Sequence, residues 1–175
     1  MYPYWIMGTA LKAQKRDIVF SLWALVASPL MIGCDMTQLD DFTFSLLSND
    51  EVIAIDQDPL GAGAGVVDEG DGWEIWARPL ADGSIAAGLY NKDLDDRTIV
   101  LDMEKLGMEC KWTVRDLWCQ EDIGVFLGKY EAPVPGHATH LIKLTPKACG
   151  KLRDGMVDIR DNAWQLLMKH DRKAK

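Results

Sequence analysis

The chain has 175 residues, 48% of them apolar, enough for one ordinary domain or a small domain plus part of another, and too apolar for wholesale disorder. A formal charge of −8 disfavours binding to a nucleic-acid backbone, which calls for clustered Lys and Arg. Between Arg16 and Arg78 lie twelve acids and no base, which read as a solvated acidic face or, alternatively, as acids gathered around a metal or a sugar.

In chain order, "MYPYWIMGTALKAQKR" lacks the basic start, apolar stretch and cleavage site of a signal peptide, and localisation stays open. From Ile18 to Cys34 the chain carries no charge. As one helix this run would span about 26 Å, short of the roughly 30 Å of bilayer hydrocarbon, and Pro29 interrupts it. No membrane span is expected. Leu11, Ile18, Leu22, Leu25 and Val26 fall near one face of a helix that should stop near Ala27, because a residue before proline avoids helical space. The following "PLMIGCD" reads as a strand buried on both faces, as in a parallel sheet under helices. Leu39, Phe42, Leu46 and Leu47 then predict a helix capped by Asp40 or Asp41. Ser48-Asn49-Asp50 ends it and caps a shorter one through Val52 and Ile55, and Asp58-Pro59-Leu60-Gly61 closes the segment. A lone parallel strand leaves backbone groups unpaired, at about 1–3 kcal/mol each if buried. Residues 1–60 are therefore expected to expose apolar surface and to self-associate.

After "GAGAG" (61–65), a connector or hairpin opening, come short β-forming runs separated by turns: "WEIWARPL", "IAAGLYN", "RTIVLDM", "CKWTVRDLW" and "THLIKLTP". Five or more strands without intervening helices predict an antiparallel sandwich or barrel over residues 61–147. If "KWTVRDLW" is a strand, Cys110 and Cys119 stand roughly 30 Å apart and cannot be bridged. No CxxC pair occurs, the histidines are scattered, and no metal or cofactor is expected. Trp73 and Trp76 should face opposite sides of a strand, while Trp112 and Trp118 share a face if theirs is regular. A flat exposed Trp pair could stack on sugar rings; the alternative is inter-sheet core. His137 and His140 read as loop residues. The tail 148–175 can form a helix with Val157, Ala163, Trp164, Leu167 and Met168 near one side and bases at its end. It either covers an open sheet edge, contacts a partner, or is a frayed terminus.

"SLWALVASPLMIGCDM", "LLSNDEVIAIDQDPLG" and "WEIWARPLADGSIAAGLYNK" together resemble the C-terminal part of α-galactosidases of the melibiase type, glycoside hydrolase family twenty-seven. The similarity runs over roughly residues 14–147. It implies an α/β barrel remnant over residues 1–60, namely the last strand and helices of a (β/α)8 barrel. An all-β antiparallel sandwich follows over 61–147, and 148–175 is a tail outside the resemblance. It also implies that "DEGDGWE" (68–74), superficially like a calcium loop, is a hairpin turn, and that the compartment is often extracellular or periplasmic.

The family's nucleophile lies in a Lys-Tyr-Asp-type motif, its acid/base Asp follows the sixth strand, and a Gly-Gly-Trp-Asn-Asp-Pro-Asp stretch helps hold the sugar. None of these motifs occurs in this sequence; "PYWIMGT" stands where the last should end. No catalytic residue is therefore assigned. Asp35 is the candidate substrate-binding carboxylate, at the carboxyl end of the barrel-like strand, against the alternative of a helix cap or loop anchor. Asp56 and Asp58 lie two apart beside Pro59; relatives usually carry Asn at the first, so the charge of Asp56 reads as solvated or capping. The implied activity is retaining hydrolysis of terminal α-galactosides, expected only if the rest of the barrel is supplied and absent from this chain alone. The alternative is a non-catalytic β-sandwich module that binds carbohydrate or a protein partner.

Overall fold

The computed structural model describes residues 13–147 apart from 34, 107 and 109, so the readings of residues 1–12 and of the 148–175 tail lie outside the described residues. Helix α1, Ala13–Leu25, ends in a turn that places Ala27 at a left-handed φ of 52°, two residues before Pro29. No helix among the described residues is long and apolar enough to cross a membrane.

Of "PLMIGCD" (29–35), read from sequence as a buried strand, residues 29–33 form no strand. None of the strands among the described residues pairs with them, and Met31 and Ile32 stay 65% and 47% exposed. An apolar run adopts a ladder only where neighbouring strands take up its backbone groups. A single 3₁₀ turn, Met36–Gln38, follows. Helix α2, Asp41–Leu47, is capped by Asp40, which accepts from Thr43 N at 2.6 Å. Helix α3, Asp50–Asp56, is capped by Asn49, which accepts from Glu51 N and Val52 N at 3.1 Å each. These caps match the sequence reading.

Eight strands follow, all paired antiparallel. They are β1 (Gly65–Gly70), β2 (Trp73–Pro79), β3 (Ile85–Asn91), β4 (Arg97–Asp102), β5 (Lys111–Asp116), β6 (Glu121–Phe126), β7 (Lys129–Val134) and β8 (Thr139–Lys147). The larger sheet runs β1-β2-β3-β8-β5-β6, and β4-β7 form a two-stranded ribbon. Period-two alternation divides the side chains of the larger sheet between two cores. On one face Ile75, Ala77, Ile85, Ala87, Leu89, Trp112, Val114, Ile142 and Leu144 pack against the ribbon's Ile99, Leu101, Tyr130, Ala132 and Val134. On the other, Trp76, Ala86, Leu117 and Leu141 meet Phe20, Ala24, Leu25, Val52 and Ile55 of α1 and α3. The domain is thus layered as helices, six-stranded sheet, ribbon.

Specific contacts join the helices to the sheet. Arg115 on β5 holds Glu51 of α3 with two parallel bonds of 2.6 and 2.8 Å, and Asn49 Nδ2 donates to Leu117 O at 2.9 Å. Trp118 Nε1 donates to Ser21 Oγ at 3.0 Å. Helix α1 approaches β3 closely at Gly88, where a Cβ would lie 2.6 Å from Leu25 Cδ1; only glycine leaves Leu25 its place. Cys110 is disulfide-bonded and Cys119 is free, so the two are not joined to each other, as strand geometry required.

Candidate functional site

Asp35 emerges from the loop after α1 as the N-cap of the 3₁₀ turn. Its Oδ1 accepts from Thr37 N at 2.9 Å and Thr37 Oγ1 at 2.6 Å, and its Oδ2 accepts from Gln38 Nε2 at 3.2 Å. These bonds, Thr37 first, hold its carboxyl below the usual carboxylate range. The exposed side chain stands beside an open groove of about 440 Å³ lined by Ile32, Met36, Thr37, Asp41, Phe44 and Ser48 among others. A second hollow, about 200 Å³, continues it through Ile32 and Leu47 toward Phe20 and Ile53. The rim is apolar: Met36 and Phe44 are each 62% exposed. Asp41 is the one carboxylate lining these two hollows.

Asp56, read from sequence as solvated or capping, and its neighbour Asp58 differ in setting. Asp58 caps: it accepts from Leu60 N at 3.0 Å and, across 23 residues, from Ala81 N at 3.1 Å, anchoring the β2–β3 turn. Asp56 is not solvated but buried, accepting from Gln57 Nε2 at 2.5 Å, with Oδ1 lacking a protein partner. Burial pushes its carboxyl above the usual range, opposed by Gln57 and by the positive charge of Arg78. Arg78, on β2, is fully buried and donates through Nη1 to Ala24 O, in the last turn of α1, at 2.8 Å. Arg78 Nε and Nη2 have no protein partner. A cation at a helix carboxyl end faces orphan carbonyls, and here it comes from a strand. Nothing at Asp56 or Arg78 in the sequence signals this pairing, because 22 residues separate them.

The four tryptophans singled out in the sequence are buried or half-buried. Trp73 and Trp76 do face opposite sides of β2, but each is half-buried, one against each core. Trp112 is fully buried between the sheets, whereas Trp118 lies beyond the end of β5 and packs on Phe20, so the two do not share a face. No Trp among the described residues is an exposed large hydrophobic.

His137 sits in the turn after β7 at φ 51°, as expected of a loop residue; His140 does not. It lies on β8, with Nε2 2.9 Å from Tyr130 Oη and Nδ1 3.6 Å from Asp116 Oδ2. The three residues come from β8, β7 and β5 and bridge the two sheets. Burial pushes the His140 pKa below its ordinary value, and Asp116 opposes that shift. Asp116 also accepts from Trp118 N and Cys119 N at 2.8 and 2.9 Å, so this trio serves the sandwich, not an open cleft. Among the described residues no three His, Cys, Asp or Glu gather to hold a metal, and 68–74 forms the β1–β2 hairpin with Gly72 at φ 76°.

Two family profiles match in succession: α-galactosidase A over residues 5–58 and the α-galactosidase C-terminal β-sandwich domain over residues 70–144. The chain belongs to the melibiase-type α-galactosidase family. It corresponds to the C-terminal part of these α-galactosidases. A probable α-galactosidase of Dictyostelium discoideum is 41% identical over 133 residues, covering 73% of this chain and 34% of that protein. The α-galactosidase of Cyamopsis tetragonoloba is 37% identical over 131 residues, covering 74% of this chain and 32% of its own length. The chain thus spans about a third of the relatives it matches. Among solved structures, a GH27 β-L-arabinopyranosidase of Geobacillus stearothermophilus superposes with TM-score 0.75 at 28% identity, covering 82% of this chain and 33% of that one. α-Galactosidase I of Mortierella vinacea, at 23% identity and TM-score 0.76, shares the fold over 82% of this chain and 38% of its own.

Proposed function

We propose that this chain supplies the carboxyl-terminal part of a retaining α-galactoside hydrolase and does not hydrolyse glycosides by itself. In this reading residues 1–60 contribute the last segment of the catalytic barrel, the 29–35 run pairing as a strand only once its neighbouring strands are supplied, and residues 61–147 form the sandwich domain beside it. The observation that carries it is the succession of two α-galactosidase profiles over a chain whose match covers about a third of its relatives' length. Retaining hydrolysis needs a nucleophile and an acid/base about 5–5.5 Å apart across the anomeric carbon, held by a rigid surround. The motifs that carry both acids in the family are not in this sequence. The apolar groove beside Asp35 supports the reading as the surface on which the remaining barrel elements pack. Asp35 is its substrate-side carboxylate, with the ring of Thr37 and Gln38 donors fixing its direction.

The test is release of nitrophenol from an aryl α-galactoside by the purified chain, alone and with the amino-terminal two thirds of a relative supplied as a second polypeptide. The expected result is no turnover alone and measurable turnover in the mixture. Turnover by the chain alone, abolished by Asp35→Asn, would overturn the reading. Retention on immobilised galactose without any turnover in the mixture would favour a carbohydrate-binding module instead.

A further inference from the structure

One apolar edge belongs to neither hollow. Strand β6 borders the larger sheet, and Ile123, Val125 and Leu127, on and just after it, are 43%, 44% and 60% exposed. From Ile123 to Gly128 the chain carries no charge and no proline. An edge with open backbone groups and such side chains is a template for one more strand, which folded chains usually guard against with charge, proline or a bulge.

Strand β6 is guarded at one end only. Its ladder with β5 shifts between Gly124, which pairs with Val114, and Asp122, which pairs with Arg115, so Ile123 is the extra residue of a β-bulge. Asp122 lies on the helix side, bonded to the same Arg115 that holds Glu51 of α3. Glu121 pairs with Asp116, whose carboxylate approaches His140 between the sheets, and so lies on the ribbon side. At the other end Phe126 turns into the inter-sheet core, and its neighbour Val125 points to the helix side. Helix α1 meets β2, β3 and β8 there, and Val125 stays open. The chain then turns at Gly128 into β7, whose first residue is Lys129. Glu121 and Lys129 are exposed and join no ion pair among the described residues.

Along this edge the order is acid, apolar side chains, base, and that order complements itself when reversed. Opposite residues of an antiparallel pair share a side of the sheet, so the register of a second copy moves in steps of two. With Val125 opposite Val125 of a second copy, Ile123 meets Leu127, and the apolar side chains of both molecules form one stripe. Glu121, drawn in by the bulge, then falls opposite Gly128 of the second copy and beside its Lys129, twice by symmetry. The two Asp122 carboxylates stay at opposite ends. Sliding by two residues one way sets Glu121 against Phe126, and the other way carries the pairing past the turn at Gly128, so charge and length select one register.

We infer that two copies of this chain pair antiparallel through β6, two-fold about Val125, so that one sheet continues across both molecules. Backbone bonds supply the affinity and the end charges fix the register. The contact lies away from the face proposed for the barrel and stands whether or not that reading does. The test is the full chain carrying Val125→Cys, mildly oxidised at micromolar concentration, with its cross-links mapped by mass spectrometry. Opposed residues of an antiparallel pair stand about 4.5–5.5 Å apart, within disulfide range, so a 125–125 cross-link between copies is expected. Adding Glu121→Lys or Lys129→Glu sets like charges together twice per dimer and should slow that cross-link about tenfold. Mixing these two variants restores opposite charges at both ends and should recover the original rate. All three positions are exposed, and circular dichroism checks that each variant keeps the fold. Because the cross-link is mapped, association through exposed Met31 and Phe44 does not mimic it. No 125–125 cross-link, a rate indifferent to both charge reversals, or no recovery on mixing each overturns the inference.

Discussion

Replacing Arg78 with Met keeps most of the buried stem and removes the charge. Three consequences follow from the structure. The charge-assisted bond to Ala24 O at the end of α1 is lost, at about 1.5–3 kcal/mol. Asp56 loses the nearby positive charge of Arg78, which opposes the burial penalty on its carboxylate. Against this, the guanidinium no longer carries two nitrogens without protein partners, and Asp56 can take up a proton instead of remaining an isolated charge. A net loss of about 1.5–3 kcal/mol at pH 7 follows, lowering Tm by about 5–10 °C for a folded unit of this size. The sign of the pH dependence is fixed by Asp56. Its folded pKa is raised above the unfolded value, so its contribution is greatest at low pH and is lost as pH rises through the folded pKa. Removing Arg78 raises that pKa further and widens the window. Urea denaturation of parent and Arg78→Met at pH 4.5 and pH 7 should therefore show the larger difference at pH 7. A variant within about 0.5 kcal/mol of the parent at pH 7, or an equal loss at both pH values, refutes the reasoning.

Burial lowers the folded pKa of His140, so on acidification the unfolded chain takes the proton first and stability falls below about pH 6.5. Urea midpoints at pH 7.5 and 5.5 should fall less in His140→Gln than in the parent, and equal slopes would count against this. Asp58→Ala removes the acceptor for Leu60 N and Ala81 N and should cost about 1–2 kcal/mol by the same measurement. Gly88→Val drives a side chain into Leu25 and should cost about 1–3 kcal/mol, part of it recovered on adding Leu25→Ala. With Met31, Ile32, Met36 and Phe44 exposed, the purified chain should scatter light as oligomers at micromolar concentration and bind an apolar dye; a monomer that binds no dye would contradict this.

Legibility in the sequence followed the physics of each element. Strands β2, β3, β4, β5 and β8 were readable because apolar or β-branched residues fill them, and the caps of α2 and α3 because Asp40 and Asn49 are strong local signals. Strands β1, β6 and β7 were missed: β1 and β6 are edges carrying acids and glycine, and β7, in a two-stranded ribbon, holds Pro133. Such positions tolerate what a central strand cannot. The error at 29–33 has the opposite cause, an apolar run whose ladder partners are not among the described strands. Asp56 looked solvated and His140 looked like a loop residue because the groups that define them, Arg78, Tyr130 and Asp116, are distant in sequence and adjacent only once the sheet is assembled.

Strand β8 sits between β3 and β5, yet of the strands among the described residues it is the last to be synthesised. Until residues 139–147 leave the ribosome, the nascent polypeptide holds two unjoined groups, β1-β2-β3 and β5-β6, with the apolar side of α1 still short of Leu141. Joining them is a single late step of long sequence separation, slow by its topology, and during that wait the unassembled pieces are candidates for chaperone capture. A stop codon just before Thr139 would therefore not trim a border of the sheet; it would leave its two halves without the element that unites them.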